Sequence, residues 1–315
     1  MKKILKVIGA ILVIVLSLYL ISNPIIKAKN PVKESMFFTP TKYNGKEIFN
    51  QLDAKYLTNI SKDSILLTAN KFIKSKTEDS CRLNQTVITR DFEKFNGESN
   101  SEYYTISPSN SKKTAIFMMG NQFNIFNLLD NLTEFAKKDS VKIYVVNYSG
   151  NGYSEGKSNF ESQFKINQKF YNFIRSKQNV DDIFGHSLGT VFATKLAVDN
   201  KIPNLILFAP ASNINDIEEY ALENAPFWIK PYANFDEIEN SEISTLGNTS
   251  ENIKKYYGRL ILSHGTKDLN LPYPMSEKIF RNCPSKNKRL LTIKNGDHYA
   301  PFVGNNWKEI VDLIK

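Results

Sequence analysis

Short apolar runs alternate with segments of helical periodicity over most of this chain. From residue 115 onward, the predicted strands are Ala115 to Met119, Val141 to Val146, Val180 to Phe184, Leu205 to Phe208, Arg259 to Ser263 and Arg289 to Ile293. Between the first strands, Phe126 to Lys137 and Phe160 to Lys177 place apolar residues at helical spacing. This alternation predicts an α/β fold with a mostly parallel central sheet and helices on both faces.

The chain before this region has a weaker pattern. Helices are predicted at Lys46 to Leu57 and Lys62 to Lys76, and strands at Thr86 to Thr89 and Tyr103 to Ile106. We interpret residues 30–84 as a stalk and lead-in, and residues 85–315 as the main domain. Within that domain, residues 211–258 interrupt the alternation and are acidic in an otherwise basic chain. They predict a short cap insertion.

The first thirty residues differ in composition from the rest. The stretch Val7 to Ile26 carries no charge and is long enough to cross a bilayer as a helix. Three lysines precede it, and no good small-x-small cleavage site follows, which favours an uncleaved anchor over a signal peptide. We expect residues 1–29 to anchor the protein in a membrane, with the main domain outside the cytoplasm. A cleaved segment would make the protein secreted.

Charge and cysteine content add little about partners. The 315 residues carry 41 Lys and Arg against 32 Asp and Glu, a formal net charge of +9. No nucleic-acid motif accompanies the lysines, so we expect no nucleic-acid partner. Cys81 and Cys283 lie far apart in sequence, without metal-ligand spacing. They are either a disulfide of an extracytoplasmic protein or two unrelated thiols, and the sequence does not indicate an oligomeric state.

A G-x-S-x-G pentapeptide, Gly185 to Gly189, lies between a predicted strand and a predicted helix. In that context a nucleophilic serine is held on a sharp turn, with its hydroxyl exposed at the carboxyl end of the sheet. A serine hydroxyl is a poor nucleophile at neutral pH and needs a base, which in turn needs an orienting acid. Ser187 is therefore a candidate nucleophile whose partners must be found elsewhere in the chain.

The base must be one of three histidines. His186 neighbours the serine within the turn, where its side chain projects away, and His264 stands at the end of a predicted strand. His298 lies in a loop between the last strand and the last helix, which is the position of a base. Asp268 follows the preceding strand and is the predicted orienting acid. We discount Asp297, because the immediate neighbour of the base can hardly reach its far ring nitrogen.

The order Ser187, Asp268, His298 along the chain is the one expected of α/β-hydrolases. Two backbone N–H groups should bind the negatively charged oxygen that develops during acyl transfer. We predict the N–H of Leu188, at the start of a helix, and that of Asn121, in the turn after a strand. This chemistry requires no cofactor and no metal.

Four motifs carry a resemblance to the α/β-hydrolase superfamily. They are Met119 to Asn121, Asn147 to Gly156, the serine turn, and His264 to Asp268 together with Gly296 to His298. Over about residues 85–315 the chain resembles the branch with serine aminopeptidase-like and monoglyceride-lipase-like proteins and their membrane-anchored relatives. It departs from that pattern at Met119, where the family usually has His, and at Ser149, where it usually has Arg.

The resemblance implies a serine hydrolase with a small-molecule or lipid acyl substrate. The first hypothesis is cleavage of a carboxylic ester through an acyl-enzyme, on a lipid-like substrate such as a monoacylglycerol or lysophospholipid. Amide or thioester hydrolysis and an inactive binding protein of the same fold are the alternatives. In the cap, Phe227 and Trp228 are candidate substrate-binding residues, since aromatic side chains line many apolar pockets.

Overall fold

The computed structural model describes residues 32–41, 43, 57, 60–97, 99–228 and 230–314. The predicted anchor Val7 to Ile26 lies outside the described residues, and so does the predicted helix Lys46 to Leu57 apart from its last residue. Among the helices that are described, none has the length and apolar character needed to span a membrane.

Nine strands of the described chain form one sheet, in the order β1-β2-β3-β5-β4-β6-β7-β8-β9. The strands are β1 (Asp79–Leu83), β2 (Thr86–Asn96), β3 (Ser99–Pro108), β4 (Lys113–Met118), β5 (Val141–Val146), β6 (Asp182–His186), β7 (Asn204–Phe208), β8 (Arg259–Gly265) and β9 (Lys288–Ile293). From β4 onward every neighbouring pair is parallel, whereas β1, β2 and β3 pair antiparallel and β3 joins β5 antiparallel. The predicted mostly parallel sheet is confirmed.

Helices cover both faces of this sheet. They are α1 (Lys62–Ser75), α2 (Leu129–Lys138), α3 (Phe160–Arg175), α4 (Gly189–Asp199), α5 (Ile214–Asn224), α6 (Asp236–Glu239), α7 (Glu242–Thr245), α8 (Thr249–Asn252), α9 (Pro274–Asn282) and α10 (Gly304–Ile314). Side chains alternate along each strand, so that Ile116 packs with α3 and α4 on one face and Phe117 packs with α1, α2 and α10 on the other. The two apolar layers fix the sheet between them.

The sheet begins earlier in the chain than the sequence pattern suggests. Strand β1 pairs along its length with β2, and Phe72 of α1 is buried in the same apolar layer as Trp307 of α10. The predicted domain boundary at residue 85 therefore lies inside the folded unit. Strand β1 escaped prediction because its sequence, Asp-Ser-Cys-Arg-Leu, has only two apolar positions at an edge of the sheet.

The two cysteines are free thiols. Cys81 lies on β1, at one edge of the sheet, and Cys283 directly follows α9, next to the strand at the opposite edge. The buried Cys283 Sγ lies 3.6 Å from the carbonyl oxygen of Tyr256 as a weak donor. Of the two sequence-based alternatives, the structure shows the unpaired one.

Asp182 begins β6 with a fully buried side chain. Its Oδ1 accepts a hydrogen bond from Asn204 Nδ2 at 2.7 Å, while its Oδ2 has no partner among the described residues. Burial raises the pKa of Asp182 to about 6, because the ionised carboxylate is poorly solvated there. The Asp182 carboxyl therefore makes the free energy of unfolding depend on pH.

We expect Asp182→Asn to stabilise the protein at neutral pH. The folded state holds the Asp182 proton more tightly than the unfolded state, so this group's contribution to stability is full below about pH 4 and lost as pH rises through about 6. Urea unfolding should show the variant more stable by on the order of 2 kcal/mol at pH 7.5, and by little at pH 4. Asp199→Asn is the control, because the side chain of Asp199 is exposed. Equal urea unfolding curves for Asp182→Asn and wild type at pH 7.5 would contradict a cost of burying the ionised Asp182 carboxylate.

Candidate active site

Ser187 lies on a sharp turn between β6 and α4. Its φ is +52°, a left-handed conformation that is strained for a residue with a side chain. The turn is closed because the Ser187 N–H donates to Phe208 O at 3.0 Å and the Thr190 hydroxyl donates to Ser187 O at 2.5 Å. A Cβ at Gly189 would lie 2.1 Å from the carbonyl oxygen of Met118, so only glycine lets α4 start this close to β4. The predicted strand–turn–helix context of the serine is therefore present.

Asp268 and His298 come together from the loops after β8 and β9. The His298 Nδ1 donates to Asp268 Oδ2 at 2.6 Å. The two loops touch backbone to backbone, since a Cβ at Gly265 would lie 2.2 Å from Gly296 O. His298 also lines one cavity with Ser187, although no hydrogen bond yet joins that hydroxyl to the imidazole. In hydrolases this contact often tightens only in the substrate complex.

The Asp268 carboxylate is satisfied by four donors. Its Oδ2 also accepts from His264 Nε2 at 3.0 Å, and its Oδ1 accepts the backbone N–H groups of Asn270 at 2.8 Å and Leu271 at 3.0 Å. Burial raises the pKa of Asp268, but the hydrogen bonds from His264 and His298 outweigh it and bring the pKa below its usual range. The carboxylate therefore stays ionised beside the imidazole that it orients.

The contact of His264 with Asp268 was missed by the sequence analysis. The fully buried His264 Nε2 faces two acceptors, Asp268 Oδ2 and Leu271 O at 2.9 Å, so this nitrogen carries the proton. Its Nδ1 then accepts from the Ser276 hydroxyl of α9 at 2.7 Å. His264 thus holds the same carboxylate oxygen that accepts from His298. The spacing of four residues between His264 and Asp268, around one strand end, was the only available signal.

We expect His264→Phe to lower kcat about tenfold at unchanged KM, a loss of about 1.4 kcal/mol, because Asp268 loses one donor and holds His298 less firmly. The measurement is steady-state kinetics together with a pH profile of kcat. Ser276→Ala is the matched control, since it removes only the outer hydrogen bond, and it should keep kcat within about twofold. Equal losses of kcat in the two variants would show that His264 has only a structural role.

The two predicted backbone donors flank the nucleophile. Leu188 directly follows Ser187 at the N-terminus of α4, and Asn121 follows β4. A Cβ at Gly120 would lie 3.2 Å from Ser187 Cβ, so the loop after β4 passes beside the serine because residue 120 has no side chain. Asn121, Leu188 and Ser187 line one cavity. The arrangement suits two N–H groups that converge on an oxyanion.

The side chain of Met119, one of the two departures from the family pattern, is buried in the apolar layer beneath this loop. Its carbonyl oxygen accepts a hydrogen bond from the Tyr148 hydroxyl, which ties the predicted oxyanion loop (residues 119–122, after β4) to the segment after β5. The departure therefore changes a core side chain and leaves the backbone of the loop supported.

His186 lies behind the nucleophile in an almost fully buried position. Its ring contacts the rings of Phe123, His298 and Phe302 at centroid distances of 5.3, 5.0 and 5.1 Å. Burial, and then the proximity of His298, lower the pKa of His186 well below its usual range. The ring is therefore neutral and packs against the ring of His298.

The cavity in front of Ser187 has a volume of about 370 Å³. Its apolar lining comes from Phe37, Leu188, Val191, Ile217, Ile243 and Leu271. Ile217 and Ile243 belong to the predicted cap, whereas Phe37 belongs to the predicted stalk. Phe227 and Trp228 lie elsewhere: they are 78% and 62% exposed, and their rings contact each other at 5.0 Å. Their role in substrate binding stays a prediction.

No family model matches this sequence. Among solved structures, an esterase from Pyrococcus furiosus is similar over 88% of this chain and 97% of its own, with 14% identity and a TM-score of 0.57. The mouse α/β hydrolase domain-containing protein 10 matches over 71% of this chain and 96% of its own, with 17% identity and a TM-score of 0.51.

A third similar structure is a monoacylglycerol lipase from Paleococcus ferrophilus. It matches 68% of this chain and 98% of its own, with 15% identity and a TM-score of 0.52. The chain has the α/β-hydrolase fold. At these identities the likeness concerns the fold, so the chemistry has to be argued from the site itself.

Proposed function

We propose that this protein is a serine hydrolase that cleaves a carboxylic ester through an acyl-enzyme. One observation carries the proposal: a serine on a strained turn shares a cavity with a histidine that donates a hydrogen bond, at 2.6 Å, to a buried ionised carboxylate. This is the constellation that activates a hydroxyl for attack on a carbonyl. The backbone donors of Asn121 and Leu188 complete it.

In the proposed reaction, Ser187 Oγ attacks the ester carbonyl carbon while His298 Nε2 takes the hydroxyl proton. The resulting oxyanion accepts hydrogen bonds from the Asn121 and Leu188 N–H groups. The bond to the alcohol then breaks, and His298 gives its proton to the leaving oxygen. Water, deprotonated by His298, attacks the acyl-serine, releases the carboxylic acid and restores Ser187. Asp268 stays ionised throughout and stabilises the imidazolium.

We propose a lipid-like ester, such as a monoacylglycerol or lysophospholipid, as the substrate. The side chains that line the cavity around Ser187 are mainly aliphatic and aromatic, which favours an apolar acyl chain. Similar folds include a protein described as an esterase and one described as a monoacylglycerol lipase, which agrees with ester chemistry.

We also propose that Val7 to Ile26 anchors the protein in a membrane, with the hydrolase domain outside the cytoplasm. Phe37 of the cavity follows this stretch closely in sequence, so the anchor would keep the site near the lipid surface. Alkaline extraction of membranes should leave the full chain membrane-bound and release a variant without residues 1–29. Release of both proteins alike would contradict the anchor.

The test of the catalytic proposal uses a fluorophosphonate probe, which reacts with activated serines. Mass mapping of the labelled wild-type protein should find the adduct on Ser187. A panel of 4-nitrophenyl esters, a monoacylglycerol, a thioester and an aminoacyl amide then identifies the bond that is cleaved. Turnover of the amide or thioester alone would replace the ester assignment. Absence of labelling would favour a binding protein with this fold.

A further inference from the structure

The segment Glu34 to Thr41, which we call the strap, borders the candidate site, because its Phe37 lines the cavity in front of Ser187. It starts as a short 3₁₀ helix, Glu34–Phe37, and continues without regular secondary structure. The sequence pattern predicts a stalk here. In the structure it contacts the oxyanion loop, the cavity wall, the start of α3 and the segment after β5.

The strap forms hydrogen bonds with both the oxygen and the nitrogen of the Asn121 side-chain amide. The Thr39 N–H donates to Asn121 Oδ1 at 3.0 Å, and Asn121 Nδ2 donates to the Met36 carbonyl oxygen at 3.4 Å. The next residue, Gln122, has a left-handed φ of +60° and donates from Nε2 to Thr39 Oγ1 at 3.3 Å. A loop in such a strained conformation needs support from its surroundings, and these hydrogen bonds to the strap supply it.

The strap itself is fixed to the domain and does not depend on the oxyanion loop for its position. Phe38 is buried against the rings of Phe160 and Tyr148, at centroid distances of 4.9 and 5.8 Å. At its far end, the Thr41 N–H donates to Asn151 Oδ1 at 3.1 Å. Glu34 accepts a hydrogen bond from the backbone N–H of Phe160, at the start of α3. The strap can therefore transmit this fixed position to Asn121.

Phe37 is the strap's contribution to the cavity. Its ring contacts Phe160 at 5.7 Å and lines the same space as Ser187, Val191 and Ile243. Aromatic side chains are rigid, so a single ring in this wall limits the length of chain that fits.

We infer that the strap is a working part of the active site: it positions the oxyanion loop through the Asn121 side chain, and through Phe37 it limits the acyl chain that the cavity accepts. This inference rests on the proposed function. Asn121 then has two separable roles, because its backbone N–H binds the oxyanion while its amide side chain fixes the loop.

The first test is Asn121→Ala, which keeps the backbone N–H and removes both side-chain hydrogen bonds to the strap. Kinetics on 4-nitrophenyl butyrate should give a kcat per titrated active site about tenfold lower at unchanged KM, less than the hundredfold or more expected when an oxyanion donor is lost outright. A merely structural role would lower the number of titratable sites and leave kcat per site unchanged. Ser35→Ala is the control, because Ser35 is exposed and is not among the residues that line the cavity, and this variant should behave as wild type.

The second test is the acyl-length profile of two Phe37 variants. Phe37→Ala should raise the ratio of kcat/KM for the decanoate ester to that for the butyrate ester by about tenfold, and Phe37→Trp should lower it. Active-site titration with the fluorophosphonate confirms that each preparation is folded.

The outcomes separate the two proposals. A wild-type protein that neither labels nor turns over any ester overturns the proposed function, and the inference with it. An active wild type whose Asn121→Ala variant keeps its kcat per site, or whose two Phe37 variants keep the wild-type length profile, overturns the inference and leaves the proposed function standing.

Discussion

Replacing Ser187 by alanine is expected to lower kcat for ester hydrolysis by about six orders of magnitude. The serine oxygen forms the covalent bond in the proposed reaction, and the neutral, packed ring of His186 offers no substitute. The oxyanion donors alone leave a residual acceleration over water of about a thousandfold or more. Stopped assays with long incubation measure this residual activity. Labelling by the fluorophosphonate should vanish in the variant.

Ser187→Gly is the matched partner of this variant. Both lack the nucleophile, but glycine adopts the +52° φ of this position without a Cβ clash. The glycine variant should therefore be more stable than the alanine variant by about 1 kcal/mol in urea unfolding. Equal stability would mean that the turn relaxes around a side chain and stores no strain.

Asp268→Asn is expected to reduce kcat by about four orders of magnitude. The carboxylate accepts from both His264 and His298 through one oxygen, and its other oxygen accepts two backbone N–H groups. An asparagine must turn its NH₂ group toward one of these sets of donors. If the NH₂ group faces the histidines, His298 Nδ1 must accept a hydrogen bond and the ring proton moves to Nε2. Nε2 is the nitrogen that has to receive the serine proton.

Asp297→Asn is the control for this loss, because Asp297 is the rival acid beside the base. Its Oδ1 accepts the Tyr299 N–H at 3.0 Å, and an asparagine oxygen can accept the same bond. Steady-state kinetics should find kcat within about twofold of wild type. A large loss here, with a small one in Asp268→Asn, would reassign the orienting acid.

The parallel part of the fold was predictable because its central strands are largely buried on both faces. Residues 143–146 and 205–208 are continuous apolar runs, and strands of this kind need helical crossovers between them. The chain order of Ser187, Asp268 and His298 then gave a constellation that the sheet brings to one edge. These signals lie in short segments or in the order of residues along the chain, so a single sequence is enough to detect them.

What the sequence did not reveal depends on contacts that form only in the folded chain. His264 meets Asp268 through a strand-end geometry, and Thr39 meets Asn121 across many intervening residues. Phe37 carries no periodic pattern that would place it in a cavity wall. The contacts of Thr39 and Phe37 follow from how the elements pack, and neither propensity nor spacing encodes them.

The chain has two tryptophans in opposite surroundings, Trp307 fully buried against the sheet and Trp228 mostly exposed on the cap. This gives the protein two distinguishable fluorophores. The indole of Trp307 emits from an apolar layer until the fold is lost, whereas that of Trp228 is open to aqueous quenchers. Quenching of Trp228 emission by iodide thus reports the exposure of the cap. The red shift of Trp307 emission reports global unfolding, and both can be measured in one unlabelled sample.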